Sequence, residues 1–180
     1  MRVEPLRLKG VKLITGAIQS DLRGDFFKLF SANSFEENGL GFNPVEIFYS
    51  FSKNNVIRGM HFQNPPLAQA KLVHVMNGKI VDVILDLRTD SVSYGKFITI
   101  DLYAGSGQIL YIPSGFAHGF LSKENNSVVL YAVDAPYSQI NEDGILYNSF
   151  GYDWGVESPI LSERDRSFVR FDKFDSLFRV

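Results

Sequence analysis

From Val45 to about Tyr137 the chain reads as short apolar runs cut by turn residues, with no helical period between them. Val45–Phe51 precedes a Lys53-Asn54-Asn55 turn, and Val56–Phe62 runs to a Pro65-Pro66 break. Ala70–Met76, Lys79–Asp86, Lys96–Leu102, Gln108–Ile112 and Ser127–Tyr137 follow. Between the second pair of these stands Asn77-Gly78, which predicts a tight hairpin. Many short strands at even spacing fold as a sandwich, jelly roll or barrel. Sixteen Phe and eight Tyr against one Trp suit such strands. The expectation is an all-β chain, one domain over 1–180. Its core spans about 45–137, with an N-terminal arm over 1–44 and a C-terminal extension over 138–180. In the arm, Val11–Ile14 reads as a strand, Ser20–Asp25 as a turn, and Asn33–Glu37 as a brief helix capped by Asn33 or Ser34. The tail from Ser158 is charged and is expected on the surface.

Charge and composition narrow the function classes. A net charge of −2 gives no reason to expect nucleic acid. No stretch of about 18 apolar residues is present to span a membrane. The first residues, MRVEPLRLKGVKL, lack the apolar block of a signal peptide, so a cytoplasmic location is expected. The absence of cysteine excludes disulfide and thiol chemistry.

Two stretches carry candidate chemistry. One is Val56-Ile57-Arg58-Gly59-Met60-His61-Phe62-Gln63; the other is Gly107–His118, reading G-Q-I-L-Y-I-P-S-G-F-A-H. Strand alternation sends Arg58 and Met60 to one face and His61 and Gln63 to the other. A histidine inside a barrel cavity is a candidate general base, because its pKa lies near neutrality. The second stretch has the glycine, proline and histidine spacing of the second motif of the cupin barrels. Cupin metal sites pair a His-x-His with further ligands, whereas here the place reads His61-Phe62-Gln63. Two histidines without a third ligand do not make a strong site, so no metal is expected.

Longer segments extend the likeness. D-x-R-G at Asp21–Gly24, V-I-R-G-M-H-F-Q at Val56–Gln63, A-K-L-V at Ala70–Val73, Y-I-P-S-G-F-A-H-G-F at Tyr111–Phe120 and P-I-L-S-E-R-D at Pro159–Asp165 come in a fixed order. With them the chain resembles the dTDP-4-dehydrorhamnose 3,5-epimerases, a family of cofactor-independent enzymes within the cupins. The resemblance implies a cupin jelly roll and a nucleotide-linked 4-keto-6-deoxy sugar as substrate, inverted at carbon 3, carbon 5 or both through an enolate. His61 matches the base, Asp165 the carboxylate that pairs with it, Tyr131 the acid on the opposite sugar face, and Lys71 a cation near the substrate. Arg23, Arg58 and His118 match groups around the diphosphate, and Tyr137 an aromatic beside the sugar. The resemblance also implies a homodimer whose N-terminal arms are exchanged, with Arg23 completing the partner's site, and a role in making surface-polysaccharide sugars.

Departures fall around the nucleotide. Lys28 stands where the family commonly has Glu, Glu46 where it has Gln, and Phe48 where it has Asn. A site built for one set of polar groups leaves others unpaired. A carboxylate at 46 could accept both N–H donors of a guanine edge, so a GDP-linked 6-deoxy-4-keto heptose is expected ahead of a dTDP-linked 4-keto-6-deoxyglucose. Pro136 replaces the first of a tyrosine pair, which leaves the number of inverted centres open. Three alternatives stand beside the epimerase: a 4-keto to 3-keto sugar isomerase, a non-catalytic sugar-binding cupin, and a metal-dependent cupin oxygenase, the last disfavoured by Gln63.

Overall fold

The computed structural model describes residues 1–179. Along them run strands β1 (Arg2–Pro5), β2 (Lys12–Thr15), β3 (Ile18–Asp21) and β4 (Gly24–Phe27), then helix α1 (Ala32–Glu37). Strands β5 (Glu46–Ser52), β6 (Ile57–Gln63), β7 (Lys71–Asn77), β8 (Lys79–Asp86) and β9 (Phe97–Tyr103) follow. After them come β10 (Gln108–Ile112), β11 (Phe116–Ser122), β12 (Ser127–Val133), β13 (Glu142–Gly144) and helix α2 (Glu163–Ser167). Two antiparallel sheets, ordered β1-β2-β10-β7-β12-β5 and β13-β6-β11-β8-β9, face each other as a jelly roll. Strands β3 and β4 form a separate two-stranded hairpin.

Alternation places the core. On β8, Ile80 and Ile84 point between the sheets, where they meet Val73, Val75, Leu110, Phe120 and Val129. Val83 and Leu85 point outward into a second cluster with Ile57, Met60, Phe62, Phe150 and Trp154. Phe174 and Phe178 pack on Phe62 from the same side. The tail is charged and mostly exposed, as expected, but its aromatic residues also cover the outer face of the five-stranded sheet. A third cluster, with Phe35, Leu40 and Phe42 against Ile14, Leu72 and Ile109, covers the outer face of the other sheet.

Three expectations give way. Asn77-Gly78 does not close a hairpin, since β7 and β8 lie in different sheets. A two-residue hairpin of the Asn-Gly kind needs positive φ at both positions. Here only Gly78 of the two has it (φ +79°), and the chain turns a corner from one sheet to the other. The sheets also reach beyond 45–137, because β1 and β2 of the arm extend one and β13 the other. The third concerns β6. Its pairing with β11 shifts between His61↔His118 and Arg58↔Phe120, a bulge that sets two residues, Gly59 and Met60, against Gly119 alone. Ile57, Met60 and Phe62 consequently face outward, while Arg58 and His61 come to the same inner face. Only glycine fits at the bulge. Gly59 has φ +129°, and a Cβ there would lie 2.5 Å from the Gly119 Cα and 2.8 Å from the His118 carbonyl oxygen.

Candidate active site

The gap between the sheets opens at one end into a cavity of about 300 Å³. Strand β5 lines it with Glu46, Phe48 and Ser50, spaced by two as one strand face requires. Strand β6 adds Arg58, His61 and Gln63; β7 adds Lys71; β11 adds His118; β12 adds Tyr131. Tyr137, Glu142 and Arg164 complete the mouth. Ten of the twelve sites expected from sequence thus converge, with Asp165 directly behind His61.

His61 is held through one nitrogen. Its Nε2 lies 3.0 Å from Asp165 Oδ1 and 3.2 Å from Arg164 Nη2, and Nδ1 has no hydrogen-bond partner among the described residues. Asp165 is buried at the start of α2, and its Oδ2 accepts the Gly59 N–H at 3.0 Å, while Oδ1 accepts the Ser162 hydroxyl at 2.8 Å. Burial opposes its charge, but the His61 ring and these donors outweigh it and hold the carboxyl below its usual range. Burial lowers the His61 pKa, against the pull of Asp165. The imidazole is therefore neutral at pH 7 and able to take a proton.

The opposite wall carries a phenol. Tyr131 is buried, and burial raises its pKa, so the phenol keeps its proton. Its ring stacks on Phe48 at 5.1 Å between centroids and meets His118 edge-on at 6.2 Å, with Ser50 Oγ 3.5 Å from the hydroxyl. Lys71 lies on the same wall; burial lowers its pKa to about 8, while Glu142 and Asp82 hold it up. His118 lines the cavity from β11, and its Nε2 is 2.7 Å from Asp82 Oδ2. Asp82 Oδ1 has no hydrogen-bond partner among the described residues, and burial raises the pKa of this carboxyl.

Several expected ligands have other engagements. Gln63 gives its amide protons to the Leu67 and Pro136 carbonyls, and its Oε1 accepts the Ser138 N–H, so its polar atoms fasten the loop that carries Tyr137. Glu46 Oε1 accepts the Tyr137 N–H at 2.9 Å. Arg58 donates to Ser52 Oγ and to the Phe51 carbonyl. Arg23 and Lys28 do not line the cavity: Arg23 sits exposed at the tip of the β3–β4 hairpin, paired with Asp21, and Lys28 borders a separate concavity with Gln19 and Phe26. Sequence reasoning missed Glu142 and Arg164, which are joined at 2.7 Å, with Glu142 also accepting from the Tyr137 hydroxyl at 2.9 Å. The adjacency of Arg164 to Asp165 was the available signal. Among the described residues no group of three or more His, Cys, Asp and Glu could hold a metal ion. No helix among them is long and apolar enough to cross a membrane.

A family model described as dTDP-4-dehydrorhamnose 3,5-epimerase matches residues 5–173. A protein of that name from Shigella flexneri is 35% identical over 180 residues, covering 97% of this chain and 99% of its own length. The crystal structure of the Bacillus anthracis dTDP-4-dehydrorhamnose 3,5-epimerase, with TDP and PPi bound, is 37% identical with a TM-score of 0.91. That match covers 94% of this chain and 98% of that one. A structure of ChmJ, a 3'-monoepimerase from Streptomyces bikiniensis in complex with dTDP-quinovose, is 25% identical with a TM-score of 0.87, covering 93% and 86% of the two chains.

Proposed function

The chain belongs to the dTDP-4-dehydrorhamnose 3,5-epimerase family, and from that premise we propose that it inverts carbons 3 and 5 of a dTDP-linked 4-keto-6-deoxy sugar in deoxysugar biosynthesis. The observation that carries the reading is His61, backed by Asp165, facing Tyr131 from the opposite sheet across one cavity. Protons at carbons 3 and 5 are acidic because the carbon-4 ketone accepts the electron pair as an enolate. Nδ1 of His61 takes the proton, and Asp165 stabilises the imidazolium that results. Lys71 offers a cation to the enolate oxygen, where a dry site makes it most effective. Tyr131 returns a proton from the other face, so the centre is inverted. No electrons are gained or lost overall, so the reaction needs no redox cofactor. Arg58 and Arg164 at the mouth suit a diphosphate, whose oxygens match the planar guanidinium fork.

The nucleotide is assigned to thymidine on the ligands of the related structures, TDP in one and dTDP-quinovose in another. Glu46 in the cavity wall favours guanosine as a second reading, although one of its oxygens is already taken by Tyr137. Both are tested by proton exchange in heavy water, followed by NMR with dTDP- and GDP-linked 4-keto-6-deoxy sugars. Deuterium is expected at both carbons of the dTDP sugar. Uptake only from the GDP sugar would overturn the base, and uptake at carbon 3 alone would make the enzyme a single epimerase.

The β3–β4 hairpin points to a homodimer with exchanged arms. An isolated two-stranded hairpin is marginal in water, and this one exposes Ile18, Leu22 and Phe26. Arg23 would then reach the partner's diphosphate. Two inactive variants, Arg23→Ala and His61→Asn, are expected to recover about a quarter of wild-type activity when mixed equally and refolded together. Half of the dimers would then pair one of each, and such a dimer has one site with both residues intact. No recovery would count against the exchange.

A further inference from the structure

Phe168, the residue that ends α2, is not among the groups so far given a chemical role. Its ring lies edge-on to the His61 imidazole, 5.6 Å between centroids at 77°. The ring occupies space that a glycine leaves open. Gly144 on β13 is the register partner of His61 on β6. A Cβ at Gly144 would come within 2.5 Å of the Phe168 Cδ2 and Cζ atoms, deep inside van der Waals contact. Beyond Phe168 the chain is tied down by the Leu146 N–H to the Val169 carbonyl at 2.9 Å. One short segment therefore brackets the imidazole: Asp165 on its Nε2, Arg164 beside that nitrogen, and Phe168 against the ring, with the Arg164 guanidinium 5.8 Å over the phenyl face.

We infer that Phe168, seated on Gly144, is a positioning residue for the base: it holds the His61 ring against Asp165 and keeps water from it. The inference rests on His61 acting as the base, as proposed above. A phenyl edge supplies an apolar wall that no hydrogen bond can replace, and it blocks the imidazole from rotating away from the carboxylate. Orientation of this kind is worth much to a proton transfer, since a displacement of about 1 Å can cost on the order of 100-fold. Shielding also keeps the ring neutral, because burial is the largest influence on its pKa. The charged and titratable groups around His61 are Asp165 and Arg164 from α2, Arg58 on its own strand, Glu142 from β13, Lys71 from β7, His118 from β11 and Tyr131 from β12, with Glu46 and Tyr137 in the same cavity.

The test is the pH dependence of kcat/KM for wild type, Phe168→Ala, Phe168→Leu and Gly144→Ala. The acid limb reports the free enzyme's base. Admitting water raises the His61 pKa, so the base stays protonated to higher pH. The limb is therefore expected to move up by about one pH unit in Phe168→Ala, with kcat down about tenfold and KM within about twofold. Gly144→Ala, which drives the ring out without removing it, is expected to move the limb the same way, and Phe168→Leu to restore it. A limb that stays put in both alanine variants, in protein that keeps its circular dichroism and its dTDP affinity, would overturn the inference. If His61→Asn leaves turnover intact in the same assay, the base assignment itself fails, whereas a static limb with His61-dependent turnover overturns only the role of Phe168.

Discussion

Replacing His61 by asparagine is expected to lower deuterium entry at carbons 3 and 5 by about 10³-fold or more while leaving dTDP binding within about twofold. General-base removal typically costs 10²–10⁴, and here no neighbour can take over. Asp165 is held well below its usual pKa and is occupied by the Gly59 N–H and the Ser162 hydroxyl. Lys71, although lowered to about 8, lies on the tyrosine's wall, where it would reach the wrong face of the ring. The loss should be chemical rather than structural. Asparagine removes a ring but leaves Asp165 with its remaining donors, so no bare charge is created. Deuterium entry within tenfold of wild type would remove His61 from the mechanism, and loss of dTDP binding in step with activity would recast it as a binding residue.

Tyr131→Phe separates two quantities that wild type keeps together. The base can still take the proton and hand back a solvent deuteron on the same face, so exchange should persist. Inversion needs the acid on the other face and should fall by about 10²–10³-fold. Phenylalanine keeps the stack on Phe48 and the edge contact with His118, and it gives up only the weak hydroxyl contact to Ser50. The measurement is the ratio of deuterium incorporated to product inverted, by NMR on one sample. A large rise in that ratio supports the acid role. Equal loss of both would mean that the tyrosine shapes the cavity or stabilises the enolate, and no loss would mean that the proton comes from elsewhere, with water the first candidate.

Sequence legibility followed contact range. Of six residues that line the cavity, His61 and His118 could be read because two local motifs mark their neighbourhood, whereas Glu46, Phe48, Lys71 and Tyr131 could be read only through the family resemblance of the segments around them. The shared face of Arg58 and His61 could not, because the bulge at Gly59 exists only in the pairing of β6 with β11, some sixty residues away. Asn77-Gly78 misled for a related reason. The dipeptide sets a local turn, but which strand each flank joins is decided by burial on the two sheets. Glu142 lies in a run of turn-forming residues, Asn141-Glu142-Asp143-Gly144, and its pairing with Gln63 brings it to the mouth. The aromatic cover over the outer face was hidden among charged residues, with Phe150, Trp154, Phe171, Phe174 and Phe178 spaced by no single period.

The proposed base and the proposed acid belong to different sheets, His61 to the five-stranded one and Tyr131 to the six-stranded one. Their separation is thus a thickness rather than a loop conformation. Stacked sheets stand about 10 Å apart, and here the gauge is set by Ile84, Val75, Leu110, Phe120 and their neighbours between them. The slot between the two side chains is therefore fixed by residues packed elsewhere between the sheets. Tolerances in such a slot belong to the hydrophobic core, and a methylene lost far from the sugar would be felt as slack between the two proton-transfer groups.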